Sequence, residues 1–150
     1  MMMRGVVMGV MAAVVVFGVA GAVAVPEARQ WYEGRHEEMS SYATGAEAKA
    51  ARDSVPRWLP DDASSVEYAM RTTGGQRILK ASLAESRLPT SCKPLGGRDA
   101  PAPEINASWF PSDLATRAQV RCGSYYAVLD HRTLYAWQTN ADWVEGNRSS

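Results

Sequence analysis

Alternation of apolar and polar side chains is clearest from Ser65 onward, where Val66, Tyr68 and Met70 fall on one side and Glu67, Ala69 and Arg71 on the other. A period of two marks a strand buried on one face. Thr73-Gly74-Gly75-Gln76 follows, and its glycine pair suits the positive backbone angles of a tight two-residue turn. Leu79, Ala81 and Leu83 are then expected to return as the apolar side of a second strand. A longer run from Gln119 to Leu129 predicts a third strand, with Val120, Cys122, Ser124, Tyr126 and Val128 on one face and Tyr125, Ala127 and Leu129 on the other. Asp130-His131-Arg132-Thr133 reads as a polar turn, and Leu134 to Thr139 as a fourth strand with Tyr135 and Trp137 on one side.

One helix is signalled. Thr44-Gly45-Ala46-Glu47 has the spacing at which a threonine accepts from the third helical amide while the glutamate reaches back. The helix is expected over Ala46 to Ser54, ending before Pro56 because a residue ahead of proline avoids helical angles. Its apolar face, Ala48, Ala51 and Val55, is thin, so tertiary packing must hold it. Trp58 and Leu59, set between Pro56 and Pro60, are expected core anchors. Leu88 to Pro111 carries five of the eight prolines and the pair Gly96-Gly97, which predicts a long irregular loop whose far end is tucked in by Ile105, Trp109 and Phe110. The expected fold class is α+β: a four-stranded antiparallel sheet of two hairpins, one short helix and a proline-rich loop.

Ahead of all this stands Gly5 to Val25, twenty-one residues without a charge. As a helix it would span about 30 Å, the thickness of a bilayer's hydrocarbon core. Arg4 precedes it, so the N-terminus is expected in the cytoplasm and the remainder outside. Length favours an uncleaved single-pass anchor, with Trp31 and Tyr32 at the membrane interface. Ala22-Val23-Ala24 supports the alternative, a signal peptide cleaved near Ala24. The expected layout is an anchor or signal over 1–25, a stalk and short helix over 26–54, an extracytoplasmic domain over 55–140 and a frayed tail over 141–150.

Charge changes the picture by exclusion. Without Arg4 the chain has fifteen basic and sixteen acidic residues, interleaved rather than blocked, which gives no electrostatic footprint for nucleic acid. Arginine outnumbers lysine thirteen to three, a coding bias of GC-rich bacterial genomes. Cys92 and Cys122 are the two cysteines, and outside the cytoplasm such a pair is expected to form a disulfide with Cys122 turned into the core. The competing free nucleophilic cysteine would need His36 or His131 as its base.

Candidate chemistry is sparse. Asp130, His131 and Ser124 contain the residue types of a hydrolytic triad, but adjacent residues in a turn point apart. Glu37-Glu38 and Asp61-Asp62 pair carboxylates only as chain neighbours, which seldom face one pocket. No zinc spacing, phosphate-cradling loop or nucleophile elbow occurs, so no metal and no cofactor is expected. Aromatic residues gather in the last third, and Tyr125, Tyr135, Trp137 and Trp143 are the candidate binding aromatics. An exposed set of such rings suits a sugar or a protein partner, and the rival view makes half of them core. The expected function is a non-enzymatic, membrane-tethered or secreted module of the bacterial envelope that binds a wall polymer or an envelope protein. The alternative is a small cell-wall hydrolase or a hydrolase inhibitor.

The topology is directly testable. A reporter active only outside the cytoplasm, fused after Asn140, should be active, and activity of a cytoplasm-only reporter there would reverse the orientation. The mass of the mature chain decides between the anchor and cleavage after Ala24.

Overall fold

Both expected hairpins form, and they pair with each other. In the computed structural model, residues 36–148 are described, so the Gly5 to Val25 anchor or signal lies outside the described residues. Among the described residues no helix is long and apolar enough to cross a membrane. Strands β2 (Ser64–Arg71) and β3 (Arg77–Ser82) make the first hairpin, and β6 (Tyr125–Asp130) and β7 (Thr133–Gln138) the second. Residue pairing of β3 with β7, Ile78 opposite Trp137 and Leu79 opposite Ala136, welds them into one sheet. Three further strands extend it: β1 (Glu37–Thr44), β4 (Cys92–Pro94) and β5 (Val120–Cys122). The result is a seven-stranded antiparallel sheet in the order β1-β2-β3-β7-β6-β5-β4. The domain is therefore mostly β, with short helices, rather than the four-stranded α+β arrangement expected.

The predicted faces hold where the strands are continuous. Val66, Tyr68, Leu79, Ala81 and Leu83 share one buried cluster with Leu134 and Ala136. Ala69, Ile78, Val128 and Trp137 fill a second cluster on the opposite face. A sheet buried on both sides needs two covers. One consists of helix α1 (Gly45–Ala51) and the turns after it, which contribute Ala48, Val55, Leu59 and Ala63. The other is the proline-rich segment, whose Ile105, Phe110 and Leu114 pack under Trp137 as the sequence suggested for the first two. Leu114 belongs to a one-turn helix, α2 (Leu114–Arg117).

Four departures have identifiable causes. Residues expected in a stalk form β1, an edge strand whose only apolar ring against the core is Tyr42. With Met39 exposed, no alternation signals the strand, and backbone pairing with β2 holds it. Second, the third predicted strand is two. Gly123 takes φ +63° and turns the chain, so Cys122 lies opposite Tyr125. That two-residue turn brings Tyr125 and Ala127 to the face of Val120 and Cys122, and sends Tyr126 and Val128 to the other. Third, the loop after Leu88 is not wholly irregular, since Cys92–Pro94 pairs with β5 as an outer strand. Fourth, the tail forms helix α3 (Asn140–Arg148). Thr139 caps it, accepting from the Asp142 amide at 3.1 Å while donating to the Asp142 carboxylate at 2.6 Å.

The capping of α1 follows expectation, with Thr44 Oγ1 accepting from the Glu47 amide at 3.1 Å. Glu47 reaches back to the Ala43 amide. The helix stops at Ala51 rather than Ser54, with Arg52 already extended as its cap, and the Arg57 guanidinium donates to Lys49 O in its last turn at 3.0 Å and to the cap's Arg52 O at 2.7 Å. A cation there also suits the negative end of the helix dipole.

Glycines in the β2–β3 connection serve a purpose other than the one expected. Neither Gly74 nor Gly75 has a positive φ, and the connection runs from Thr72 to Gln76 instead of a two-residue turn. Gly75 is required because any Cβ there would collide with the Trp143 side chain of α3. The Gly75 amide donates to Asn140 Oδ1 at 2.9 Å, fastening the start of α3 to the hairpin.

The disulfide is present. Cys92 and Cys122 are directly opposed in the β4–β5 pair, with alpha carbons 4.0 Å apart. Cys122 is buried in the first cluster, as expected. Replacing Cys92 with Ser should lower unfolding free energy in a denaturant titration by about 2–5 kcal/mol. Amide exchange should accelerate first in β4 and β5. A loss below about 1 kcal/mol would show that strand pairing alone holds this edge.

Candidate functional site

Four parts of the fold converge near Gly123: the β5–β6 turn, the adjacent strand ends at Arg77 of β3 and Gln138 of β7, Trp143 of α3 and the stretch 53–58. They enclose an open groove of ≈ 370 Å³. Trp58 and Trp143 stand part-exposed in its lining, Trp143 at 39 %. Tyr125 is 3 % exposed in the same lining, and Trp58 meets its ring edge-on at 5.7 Å between centroids. Such T-shaped contact fixes both rings. Two of the four candidate binding aromatics, Tyr125 and Trp143, thus share one groove.

The other two do not. Trp137 is fully buried on the opposite face, where its indole Nε1 donates to Pro101 O at 2.9 Å. Tyr135 packs beside it against Phe110 and carries Lys80 over its ring at 5.9 Å. Trp58, expected as a core anchor, packs against the first cluster and also lines the groove with a part-exposed ring. Its position between two prolines signalled order, and nothing local signalled exposure.

Polar groups stand among the rings. Gln138 is buried and donates from Nε2 to Gly75 O at 2.6 Å, while Ser124 Oγ donates to its Oε1. Arg77, 8 % exposed, also lines the groove. Its Nη1 is occupied by the carbonyls of Arg71, Gly74 and Gln76 at 2.8–3.2 Å. No carboxylate among the described residues pairs with it, which is unusual for a buried cation. Arg57 on the rim is likewise held by carbonyls alone. Asp53 is the groove's one acid.

Burial pushes the Tyr125 phenol well above its ordinary range, and the facing Tyr68 adds to the effect while Arg77 opposes it. Burial also raises Tyr68, against the pull of its hydrogen bond to Ser54, whose hydroxyl lies 2.9 Å away. Both phenols are neutral hydrogen-bonding groups at neutral pH.

The reactive sets considered from sequence do not assemble. Ser124 and His131 lie at opposite ends of β6, six residues long, which separates them by about 20 Å. His131 is 95 % exposed and bonds only its neighbour Asp130, at 2.9 Å. Glu37 and Glu38 turn to different arginines, Arg71 and Arg52. Asp61 pairs with Lys49 at 2.6 Å. Asp62 and Glu85 line a separate open groove, where Glu85, 69 % exposed, is tied to Arg87. Among the described residues no group of three His, Cys, Asp or Glu side chains could hold a metal ion.

No family model, no curated protein and no solved structure matches this chain.

The buried phenols set an alkaline limit. Their folded pKa lies above the unfolded value of about 10, so the unfolded chain loses these protons first as pH rises. Their stabilising contribution is complete below about pH 10 and is lost above it. Denaturant midpoints measured from pH 8 to 12 should therefore fall past about pH 10, and Tyr125→Phe should flatten that fall. An unchanged slope in both Tyr125→Phe and Tyr68→Phe would place the sensitivity elsewhere.

Proposed function

We propose that this protein is a non-enzymatic binding module of the bacterial envelope, tethered through residues 5–25 or released by cleavage near Ala24, and that its groove at Trp58 and Trp143 receives a sugar ring of a wall polymer. The observation that carries this reading is the pairing of two part-exposed indoles with a fixed polar floor of Gln138, Ser124 and Arg77. Flat rings stack on the apolar face of a sugar, and fixed donors and acceptors meet its hydroxyls. The groove's shallow, open form suits a segment of a polymer better than an enclosed small molecule. The apolar leader and the disulfide both support a location outside the cytoplasm.

Co-sedimentation of the full chain, in detergent, with purified bacterial wall sacculi tests this. Binding should saturate, and Trp143→Ala should weaken it at least about tenfold, the loss of about 1.4 kcal/mol of ring contact. Met39→Ala, on the exposed edge strand away from the groove, should leave it unchanged. Equal binding by both variants would remove the groove from the reading. Release of sugar fragments from the sacculi would favour the hydrolase alternative.

A further inference from the structure

A second groove, of ≈ 560 Å³, opens on the other side of Gly123 and shares that residue with the first. Lys93, Arg98 and Arg121 line it with a single acid, Asp99. Across both grooves, Arg57 and Arg77 join these three, so five cations face two acids. In a chain with sixteen of each sign, that is a local concentration rather than a general surplus.

Neutralisation within the protein does not remove the excess. Arg121 pairs with Asp142 at 2.9 Å and lies over the Tyr126 ring at 5.2 Å. Its Nε is buried without a hydrogen-bond partner. Arg57, Arg77, Lys93 and Arg98 enter no ion pair among the described residues. Elsewhere among the described residues five of eight cations, Lys49, Arg52, Arg71, Arg87 and Arg117, have carboxylate partners, whereas Lys80, Arg132 and Arg148 do not. Gly123, which has no side chain, lines both depressions.

We infer that the ligand is an anionic saccharide chain, carrying carboxylate or phosphate groups, that crosses the Gly123 turn with one ring between Trp58 and Trp143 and its charges over Lys93, Arg98 and Arg121. This rests on the wall-polymer reading and adds the ligand's charge and its path. Stacking in the first groove supplies contact area. The unpaired Lys93 and Arg98 of the second favour an anionic chain over a neutral one by charge complementarity.

Sacculi treated to remove charge provide the test: one batch with carboxylates capped by methylamine, one with phosphodiesters removed by hydrofluoric acid, and one with both treatments. The full chain should bind doubly treated sacculi at least about fivefold more weakly than native ones, since exposed charge contacts are each worth a fraction of a tenfold change. Whichever single treatment reproduces the loss identifies the charged group. Lys93→Gln combined with Arg98→Gln should weaken binding to native sacculi by a similar factor, and leave binding to doubly treated sacculi unchanged. Neither side chain makes a hydrogen bond or ion pair within the described residues, so folding should be preserved, as a thermal melt will verify. Raising the salt concentration should erase the difference between native and treated sacculi. Equal binding to all four batches, insensitive to the double substitution yet lost in Trp143→Ala, would overturn the anionic ligand while the groove reading stands. Absence of binding to any batch would overturn both.

Discussion

The pairing of β3 with β7 is the contact on which the rest of the molecule depends. It joins residues 77–82 to residues 133–138, across fifty intervening positions, and closing so long a loop costs entropy that the paired strands must offset. Its residues point both ways, with Leu79 and Ala136 toward one cluster and Ile78 and Trp137 toward the other. Once it forms, neither face can remain in water. Both covers are largely irregular chain, which leaves many backbone groups to be satisfied individually. Side chains do this work: Trp137 donates to Pro101 O, Arg71 to Glu104 O, and Arg57 to Lys49, Arg52 and Val55. Arginine, with five donors in a fixed fork, is well suited to gathering loop carbonyls.

The grooves follow from the same economy at the sheet's end. A two-residue turn at Gly123 brings Tyr125 back onto the Cys122 face, under Trp58. Absence of a side chain at Gly75 lets Trp143 approach the hairpin. Arg77 sits between them because the loop carbonyls of Arg71, Gly74 and Gln76 hold it there. Each element has a structural reason to exist, and together they leave two indoles part-exposed beside a buried cation. The disulfide secures the outer edge beside the second groove, where β4 and β5 are only three residues each and too short to be stable alone.

Much of this was legible locally. Alternation located both hairpins and assigned Val66, Tyr68, Leu79 and Ala81 to one face, because every second residue of a strand must point the same way. Proline and glycine density marked the covering loop, with Ile105 and Phe110 as its anchors. Thr44 and Glu47 announced the start of α1, since a cap involves neighbours in the chain. The candidate site was only half visible: Tyr125 and Trp143 meet in one groove, whereas Trp137, with the same composition-level claim, belongs to the core.

The remainder depended on partners distant in sequence. Strand β1 carries too few apolar residues to show a period, and only β2 makes it a strand. Gln119 to Leu129 alternates equally well as one strand or as two, and the mirror assignment of Tyr126 and Val128 was decided by a single backbone angle at Gly123. Gly75 reads as a turn residue until Trp143 is placed against it. Trp143 reads as core or stripe alike, and Trp58 as core, because exposure is a property of what covers a ring. Local pattern records which side of its own strand a residue occupies; which strands meet, and which rings are left uncovered when they do, is settled by long-range pairing that no window of sequence contains.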